Sequence, residues 1–330
     1  MTTGMLLGKF LPPHLGHVFL GEFAARYADR LTVVVCSLNR EPIPGEVRFR
    51  WMRELFPFEN VVHLTDELPQ EPAEHPDFWN LWRTALQRVL PTKPDFVFAS
   101  EQYGWRLAEE LGACFVPVNI ARDAVPVSGT AIRTDPATNW PFIPRCVRPY
   151  FVKRVCVFGP ESTGKTTLCR KLADHFRTAW VPEYARTLLE ARVGEVRFED
   201  MEMIVRGQIA SEEALARNAN RVLFTDTDPL ATLIWSDVLF GRISEVVNAA
   251  ATRAADLYLL CAPDVPWVAD AVRYLPDGGR AFFERCEREL RARGRNYVVI
   301  RGSWEERFAA AVAEVGRISR QAAMTQRMPE

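Results

Sequence analysis

The sequence predicts an α/β protein built from two parallel-sheet domains in series. Short apolar runs rich in β-branched residues alternate with amphipathic segments of about 10–15 residues, which is the pattern of repeated strand–helix–strand units. This pattern stops in a proline-rich stretch near the middle of the chain and starts again at Arg154. The 330 residues are also about twice the length of an average domain. We therefore expect a first domain over residues 1–134, a linker over 135–150 and a second domain over 151–330.

Apolar runs predict the strands of the first domain, and amphipathic segments predict its helices. The strands are expected at Met5–Phe10, Leu31–Ser37, Asn60–Leu64, Asp95–Ser100 and Cys114–Val118. The helices are expected at His17–Tyr27, Val47–Leu55, Phe78–Leu90 and Tyr103–Leu111. Glu41–Pro44 and Pro69–Pro76 are rich in proline and should be loops. The linker contains four prolines, and its aromatic residues indicate that it packs against the protein.

The second domain repeats the same alternation. Its strands are expected at Val155–Phe158, Ala179–Val181, Arg221–Thr225, Leu257–Cys261 and Tyr297–Ile300. Its helices are expected at Lys165–Phe176, Met201–Asn218, Ala281–Arg293 and Trp304–Ile318. Ser303 followed by Glu306 forms a capping-box pattern at the start of the last helix.

Composition and charge exclude several classes of protein. With 48% hydrophobic and 25% charged residues, the chain is neither mainly disordered nor collagen-like. The net charge of −1 gives no support to a nucleic-acid-binding surface. The seven cysteines form no CxxC pair, and their odd number favours a reducing compartment. The N-terminus does not resemble a signal peptide, and no apolar run approaches the ~20 residues that span a bilayer. We expect a cytoplasmic protein without a membrane span.

A phosphate-binding loop is predicted at the start of the second domain. The segment Gly159–Thr166 reads GPESTGKT, which fits GxxxxGK[ST], and it lies between an apolar strand and an amphipathic helix. Lys165 would reach the β- and γ-phosphates of a nucleotide, and the Thr166 hydroxyl would join the coordination shell of Mg²⁺. A surface turn that matches by chance is the alternative. The candidate ATP-binding residues here are Gly159, Glu161, Ser162, Thr163, Gly164, Lys165, Thr166 and Thr167.

Acidic residues follow two later strands of this domain. Asp226 ends an apolar strand and could hold Mg²⁺ through water, whereas Asp228 could equally cap the helix that starts near Pro229. Glu183 ends the strand after the P-loop helix and could accept a proton from a nucleoside hydroxyl, with Arg186 paired to it or to phosphate. A helix cap and a surface ion pair are the alternatives for these two residues.

A polar stretch farther along carries a candidate lid. It contains Trp267, Arg273, Gly278, Gly279 and Arg280. Glycine hinges and arginines suit a segment that closes on a transferring phosphate and excludes water. A solvated charged loop is the alternative.

The first domain carries a second nucleotide-binding pattern. Gly8, Lys9 and Phe10 directly follow the first strand, and His14-Leu-Gly-His17 opens the first helix. Imidazoles at a helix N-terminus can contact phosphate oxygens. A zinc pair or an exposed turn is the alternative for this motif alone. Late in the same domain Ser128-Gly-Thr130-Ala-Ile-Arg133 predicts a short capped helix that faces phosphates and adds a fixed positive charge.

These motifs together resemble a known family. The pair His14-x-Gly-His17 and Ser128–Arg133 resembles the HxGH nucleotidyltransferase superfamily, which has a Rossmann-like fold. Its position before a P-loop kinase with GPESTGKT, EYAR and TDTD resembles the NadR family of bifunctional nicotinamide-mononucleotide adenylyltransferase/ribosylnicotinamide kinases. The resemblance covers the chain from Gly4 to about Val315.

The resemblance implies two successive steps of NAD biosynthesis. The second domain would phosphorylate nicotinamide riboside with ATP to give the mononucleotide, NMN, and the first domain would join NMN to the adenylyl group of ATP to give NAD and pyrophosphate. His14 and His17 resemble the family's triphosphate ligands, with Lys9 beside them and Arg133 on the pyrophosphate. The catalytic residues implied for the kinase are Lys165, Glu183 and Asp226. The residues implied to bind the riboside are Glu183, Tyr184, Arg186, Asp228 and Trp267.

The implied ligands are ATP, Mg²⁺, nicotinamide riboside, NMN and NAD. Some members of the family carry an N-terminal helix-turn-helix domain and repress transcription. Because the first strand is expected by about Met5, we expect no such domain here and no sequence-specific DNA binding. Oligomeric state stays open, a homo-oligomer included. A flavin-making enzyme, a pantetheine-phosphate or cytidylyl transferase fused to another kinase, and a nonenzymatic sensor of NAD or ATP are the competing interpretations.

Overall fold

The structure, a computed structural model, describes residues 1–191, 196–265 and 279–325. It confirms two α/β units in series, each with a parallel five-stranded sheet. The chain divides into the compact units Met1–Val147 and Arg148–Glu330. Residues 135–147 of the expected linker therefore belong to the first unit, and Trp140, Ile143 and Val147 within them are buried.

The strands of the first unit are β1 (Thr3–Gly8), β2 (Arg30–Cys36), β3 (Asn60–Leu64), β4 (Phe96–Ala99) and β5 (Cys114–Pro117). Its α-helices are α1 (Leu15–Tyr27), α2 (Gly45–Leu55), α3 (Phe78–Val89), α4 (Tyr103–Leu111) and α5 (Gly129–Thr134). Short 3₁₀ helices occupy Pro72–Glu74 and Trp140–Phe142. β1 ends two residues before the expected end, because Phe10 lies in the left-handed backbone region with φ 47° and does not continue the strand.

The sheet of the first unit has the order β3-β2-β1-β4-β5, so β1 lies at its centre. Successive residues of a strand face opposite sides, and here both sides are apolar. Leu6 packs with Leu20 of α1 and Met52 of α2, whereas Met5 packs with Leu86 of α3 and Leu107 of α4. The chain turns from one side of the sheet to the other at β1, and ligands of such sheets bind beyond the carboxyl ends of the strands at that point.

The strands of the second unit are β6 (Lys153–Phe158), β7 (Trp180–Val181), β8 (Val222–Asp226), β9 (Leu257–Cys261) and β10 (Tyr297–Ile300). Its helices are α6 (Arg148–Phe151), α7 (Lys165–Phe176), α8 (Tyr184–Ala191), α9 (Asp200–Ala216), α10 (Pro229–Phe240), α11 (Glu245–Ala250), α12 (Gly279–Ala292) and α13 (Trp304–Thr325). α10 is buried around most of its surface, so its sequence lacks the one-sided apolar pattern of a surface helix.

The second sheet has the order β10-β9-β6-β8-β7, which again leaves the first strand of the unit at the centre. Val155 and Val157 pack with α7 and α13, whereas Cys156 and Phe158 pack with α9, α10 and α12. β6 pairs with β8 up to Val157 and Asp226, so the loop after β6 begins next to an acidic strand end. The topology therefore brings the predicted P-loop and Asp226 together.

All seven cysteines are free, and Cys114 is the exposed one. Within the described ranges, no helix combines the length and the apolar character that crossing a membrane requires.

Candidate functional site

The first unit contains a cavity of about 910 Å³ at the carboxyl end of β1. All the residues predicted there line it: Gly8, Lys9, Phe10, His14, His17, Ser128, Thr130 and Arg133. The two motifs are more than a hundred residues apart in sequence, and the parallel sheet brings them together because β1 and β5 end at the same edge.

The two histidines form a compact pair at the start of α1. Their rings stack with centroids 3.7 Å apart, and the backbone N–H of His14 donates to Nδ1 of His17 at 3.3 Å. Burial, reinforced by the charge of Arg122, lowers the pKa of His14 to about 4, and burial together with His14 lowers the pKa of His17 well below its usual value. Both imidazoles are therefore neutral at pH 7. Nδ1 of His14 is buried and has no hydrogen-bond partner among the described residues.

The short helix α5 contacts the loop that follows β1. Ser128 caps it by accepting a hydrogen bond from the Ala131 N–H at 3.1 Å. Arg133 donates to the carbonyl oxygen of Leu11 and to the Thr130 hydroxyl. A Cβ at Gly129 would lie 2.5 Å from the Leu11 oxygen, so only glycine permits this approach. The sequence predicted the cap, and the structure adds that Arg133 joins the two motifs.

Other residues of this cavity were missed by the sequence reasoning. Arg122 lines it and acts on both histidines through its charge. Phe78, Trp79 and Trp82 form an aromatic side of the cavity. Their segment was predicted only as a helix, because nothing in a local aromatic pattern indicates which cavity it faces.

The second unit contains a cavity of about 350 Å³ over the P-loop. The predicted residues that line it are Glu161, Ser162, Gly164, Lys165, Thr166, Thr167, Glu183 and Arg186. The opposite side is apolar and includes Met201, Ile204, Ala231, Trp235 and Leu239. The cavity thus joins a charged phosphate loop to an apolar surface of a size suited to a small ring.

The P-loop is held in a curled conformation by its own backbone. The Lys165 ammonium donates to the carbonyl oxygen of Pro160 at 2.7 Å, and the Thr163 hydroxyl donates to the same oxygen at 2.8 Å. Gly164 has φ +78°, and a Cβ there would lie 2.3 Å from the ring of Trp304. Glycine is therefore required both for the turn and for the contact with Trp304, a residue that the sequence did not single out.

Two carboxylates lie beside the P-loop. Asp226 is 1% exposed, and its Oδ2 accepts a hydrogen bond from the Thr166 hydroxyl at 2.6 Å. Burial raises the pKa of Asp226. Burial also raises the pKa of Glu183 to about 7, an effect that Asp226 increases and Lys165 opposes. A group with this pKa can take up and release a proton at neutral pH.

Gln208 connects the loop that follows Glu183 to the loop that follows Asp226. It was not predicted from the sequence. Its side chain is 2% exposed, and its Oε1 accepts the backbone N–H of Tyr184 at 2.8 Å. Its Nε2 donates to the Thr227 carbonyl oxygen at 3.4 Å. Gln208 therefore holds the segment after Glu183 next to the segment after Asp226. An isolated glutamine within a predicted helix carries no sequence signal for such a role.

Asp228 and Tyr184 require correction as predicted ligands of the riboside. Asp228 caps α10 by accepting the N–H groups of Leu230 and Ala231, and its other oxygen accepts the Tyr258 hydroxyl at 2.6 Å. Both of its oxygens are thus used inside the fold, as the alternative interpretation held. A Cβ at Gly207 would lie 2.2 Å from the Tyr184 ring. The ring therefore packs directly on the backbone of α9, and Tyr184 does not line the cavity.

The remaining predicted residues divide into three groups. Gly159 and Thr163 belong to the P-loop but do not line the cavity. Arg280 has a side chain that is 90% exposed, pairs with Glu284 along α12 and does not line the cavity, and its role in a lid stays a prediction. Trp267 and Arg273 lie outside the described residues.

Comparison with known proteins agrees with this architecture. An AAA domain model matches residues 154–307. The trifunctional NAD biosynthesis/regulator protein NadR of Escherichia coli (strain K12) is 30% identical over 298 residues, which cover 83% of this chain and 72% of that protein. The protein of the same name from Salmonella typhimurium is 30% identical over 296 residues, with 82% and 72% covered.

Two solved structures share the fold over most of the chain. A NadR protein in complex with NR has a TM-score of 0.78 at 24% identity, and a NadR protein in complex with NAD and AMP-PNP has a TM-score of 0.76 at 25% identity. In both, 96% of this chain and 96% of the other are covered. The chain therefore belongs to the NadR family of NAD biosynthesis proteins, and its second unit is a P-loop kinase domain.

Proposed function

We propose that the chain carries out two successive steps of NAD biosynthesis. The second unit would transfer the γ-phosphoryl group of ATP to the 5′-hydroxyl of nicotinamide riboside, giving NMN and ADP. The first unit would then transfer the adenylyl group of a second ATP to NMN, giving NAD and pyrophosphate. The observation that carries this proposal is the presence of two cavities, each at the centre of its own sheet and each built around a different phosphate-binding loop.

The kinase step is supported by the groups around the P-loop. Glu183 lines the cavity with a pKa of about 7, so it can accept the proton of the attacking hydroxyl. The Lys165 ammonium, which now donates to a loop carbonyl, would donate instead to the transferring phosphate. Arg186 lines the same cavity and adds a second positive charge. These groups position the reactants and stabilise charge, and no covalent intermediate with the protein is needed.

The residues next to the P-loop also fit Mg²⁺. The Oδ1 atom of Asp226 is buried without a hydrogen-bond partner among the described residues, and the Thr166 hydroxyl lies beside the same carboxylate. No three His, Cys, Asp or Glu side chains converge on a metal site in the ranges described, but Mg²⁺ at phosphates needs only one or two protein oxygens besides water and the nucleotide. When bound with ATP, the ion would neutralise charge on the phosphates.

The apolar side of the kinase cavity suits the nicotinamide ring. Trp235, Ile204 and Leu239 provide surface on which a flat ring can pack. The pyridinium ring of the riboside is cationic, and an indole face attracts a cation. Trp235 would therefore contact the riboside, for which the family resemblance implied Trp267 as a binding residue.

The adenylyl-transfer step is supported by the neutral histidines and the basic residues of the first cavity. Neutral imidazoles donate hydrogen bonds to phosphate oxygens through N–H, while Lys9 and Arg133 bring permanent charge to the leaving pyrophosphate. The phosphate of NMN would attack the α-phosphorus of ATP directly. The aromatic side of this cavity offers a surface for the nicotinamide of NMN.

One assay separates the two steps. The protein is supplied with nicotinamide riboside, ATP and Mg²⁺, and ADP and pyrophosphate are measured separately, because the kinase releases only ADP and the adenylyltransferase only pyrophosphate. We expect ADP together with NMN, followed by pyrophosphate together with NAD. Tight binding of NAD without formation of either product would instead support a sensor, and turnover of a flavin or pantetheine precursor would support one of the other enzymes.

A further inference from the structure

Each unit contains one arginine that is almost completely buried. Arg48 in the first unit is 0% exposed and Arg307 in the second is 1% exposed, and no other arginine or lysine of the described residues is classed as buried. Neither belongs to a motif that the sequence analysis identified. Burying a charge costs free energy unless it is fully paired, so two such residues require an explanation.

Arg48 connects the loop after β1 to the end of β2. One nitrogen, Nη1, donates to the carbonyl oxygens of Lys9 and Cys36, the latter at 3.1 Å. Nε donates to the carbonyl oxygen of Ile43 at 3.0 Å, and Nη2 pairs with the Glu41 carboxylate. All three nitrogens of the guanidinium are therefore engaged, Nε and Nη1 with backbone carbonyls and Nη2 with a carboxylate.

Arg307 makes the same type of connection in the second unit. Its Nη1 donates to the carbonyl oxygen of Thr163 in the P-loop at 3.2 Å. Its Nη2 donates to the Ala262 carbonyl oxygen just after β9 at 2.8 Å and pairs with Asp264, and Nε donates to the Gly302 carbonyl oxygen at 2.9 Å. In both units a carbonyl of the phosphate loop, a carbonyl at the carboxyl end of a neighbouring strand and a carboxylate meet on one guanidinium.

The geometry of the peptide bond gives these contacts a consequence for ligand binding. In a planar trans peptide the C=O and the following N–H point in opposite directions. The carbonyls of Lys9 and Thr163 point to the arginines, so the N–H groups of Phe10 and Gly164 point away from them. Phe10 and Gly164 line the two cavities, and the structure gives neither amide an acceptor among the residues it describes.

We propose that Arg48 and Arg307 are positioning residues, each of which orients one backbone amide of its phosphate loop toward bound nucleotide. Arg48 orients the N–H of Phe10, and Arg307 orients the N–H of Gly164. Arginine suits this role because its planar fork holds several carbonyls at fixed angles, which the single ammonium of lysine cannot do. The inference rests on the proposed function, since it presupposes that both loops bind ATP.

The test compares Arg307→Lys with Arg295→Lys. Arg295 donates to three carbonyl oxygens at the end of α11, those of Ala251, Thr252 and Arg253, and it precedes β10, at the edge of the sheet opposite the P-loop. Both variants lose an arginine that is bonded to backbone, but only Arg307 contacts the P-loop. We expect Arg307→Lys to lower kcat/KM for ATP in ADP formation by about 10- to 100-fold. The KM of Arg307→Lys for nicotinamide riboside, which has no phosphate, should stay within about twofold of wild type. All kinetic constants of Arg295→Lys should also stay within about twofold of wild type.

The first unit supplies the reciprocal test. Arg48→Lys should lower kcat/KM for ATP in pyrophosphate formation and leave ADP formation unchanged. Thermal unfolding of every variant identifies loss of fold. If Arg307→Lys does not fold, Asp264→Ala replaces it, because Asp264 pairs with Arg307 through a side chain that is 40% exposed and its loss should be tolerated. We expect this variant to raise the KM for ATP severalfold.

The outcomes separate the inference from the proposed function. Wild-type protein that forms neither ADP nor pyrophosphate contradicts the proposed function, and with it the premise of the inference. The inference alone is overturned if the wild-type protein is active and folded Arg307→Lys has an unchanged kcat/KM for ATP. If Arg307→Lys does not fold, an unchanged KM for ATP in Asp264→Ala overturns it in the same way. An equal loss in Arg307→Lys and Arg295→Lys also overturns it, since it would show a general effect of stability.

Discussion

The hydroxyl of Thr166 donates a hydrogen bond to the Asp226 carboxylate at 2.6 Å. This bond joins the start of α7 to the end of β8, and it occupies one oxygen of a carboxylate whose other oxygen is buried and has no hydrogen-bond partner in the part of the chain that the structure describes. A buried acceptor left unpaired is costly. This oxygen of Asp226 lies beside the phosphate loop. A cation that binds with the nucleotide, or a water molecule on that cation, would supply the missing partner.

Replacing Asp226 by Asn should therefore disable the kinase step with little change in the fold. The amide keeps the size and can still accept from Thr166, but it removes the negative charge that attracts Mg²⁺. We expect ADP formation to fall by on the order of 10²–10³. The measurement is the rate of ADP formation as a function of Mg²⁺ concentration. Normal rates at normal Mg²⁺ concentrations would exclude a role of Asp226 in holding the ion.

The two catalytic sites should be separable by single substitutions. Lys165→Ala removes the P-loop ammonium and should abolish phosphorylation of the riboside while leaving adenylylation of supplied NMN nearly intact. His17→Ala should do the reverse, because the stacked histidines belong to the first cavity alone. ADP and pyrophosphate are followed in each variant, with thermal unfolding as the control. Loss of both activities in a folded variant would refute two independent sites.

The raised pKa of Glu183 predicts the pH dependence of the kinase step. Its value of about 7 in the folded protein means that the carboxylate form, which accepts the hydroxyl proton, is lost as the pH falls through 7. The kcat/KM for the riboside should therefore drop about tenfold for each unit of pH below about 6. Pyrophosphate formation from NMN is the internal control, because Glu183 belongs to the other unit. A flat profile between pH 5.5 and 8 would contradict the role of Glu183 as a base.

Glu183 also predicts an effect on stability with a defined sign. Because its pKa in the folded protein lies above the ordinary glutamate value of 4.5, the folded protein binds more protons than the unfolded chain between about pH 4.5 and 7. Its contribution to stability is thus full below pH 4.5 and declines as the pH rises toward 7. Glu183→Gln should raise the melting temperature at pH 8 and have little effect at pH 4.5. An equal change in melting temperature at pH 4.5 and at pH 8 would show that burial does not raise the pKa of Glu183.

Asp228 should behave as a structural residue. Asn is as good a helix cap as Asp, but with its oxygen on the cap its NH2 group can only donate to the Tyr258 oxygen, so Asp228→Asn should cost about 1 kcal/mol, less than Asp228→Ala. Asp228→Ala should cost about 1 kcal/mol for the cap and about 1–3 kcal/mol more for the unpaired Tyr258 hydroxyl. Urea unfolding measures both. The KM for the riboside should be unchanged in Asp228→Asn, and a large increase would restore this residue as a ligand.

Local patterns were enough to predict much of this protein. Every strand lies within two residues of its expected bounds, because buried parallel strands are short apolar runs that few other structures produce. The P-loop, the HxGH motif and the capped helix at Ser128 were also predictable, since each encodes its geometry in adjacent residues. Helices α8 and α11 were not expected, because segments of eight and six residues are too short to establish a helical period.

Two parallel-sheet units and the motif at the centre of each follow from local patterns in the chain. Which distant side chains complete the sites depends on how the chain packs in three dimensions. Asp226 and Asp228 are two residues apart, yet one lies at the P-loop and the other caps a helix, because Thr227 between them has a left-handed backbone conformation, with φ 66°, that ends the strand. Arg48, Gln208, Trp304 and Arg307 each make at least one contact with a residue 24–144 positions away. Such contacts depend on how helices and strands pack, and no local pattern in the chain specifies them.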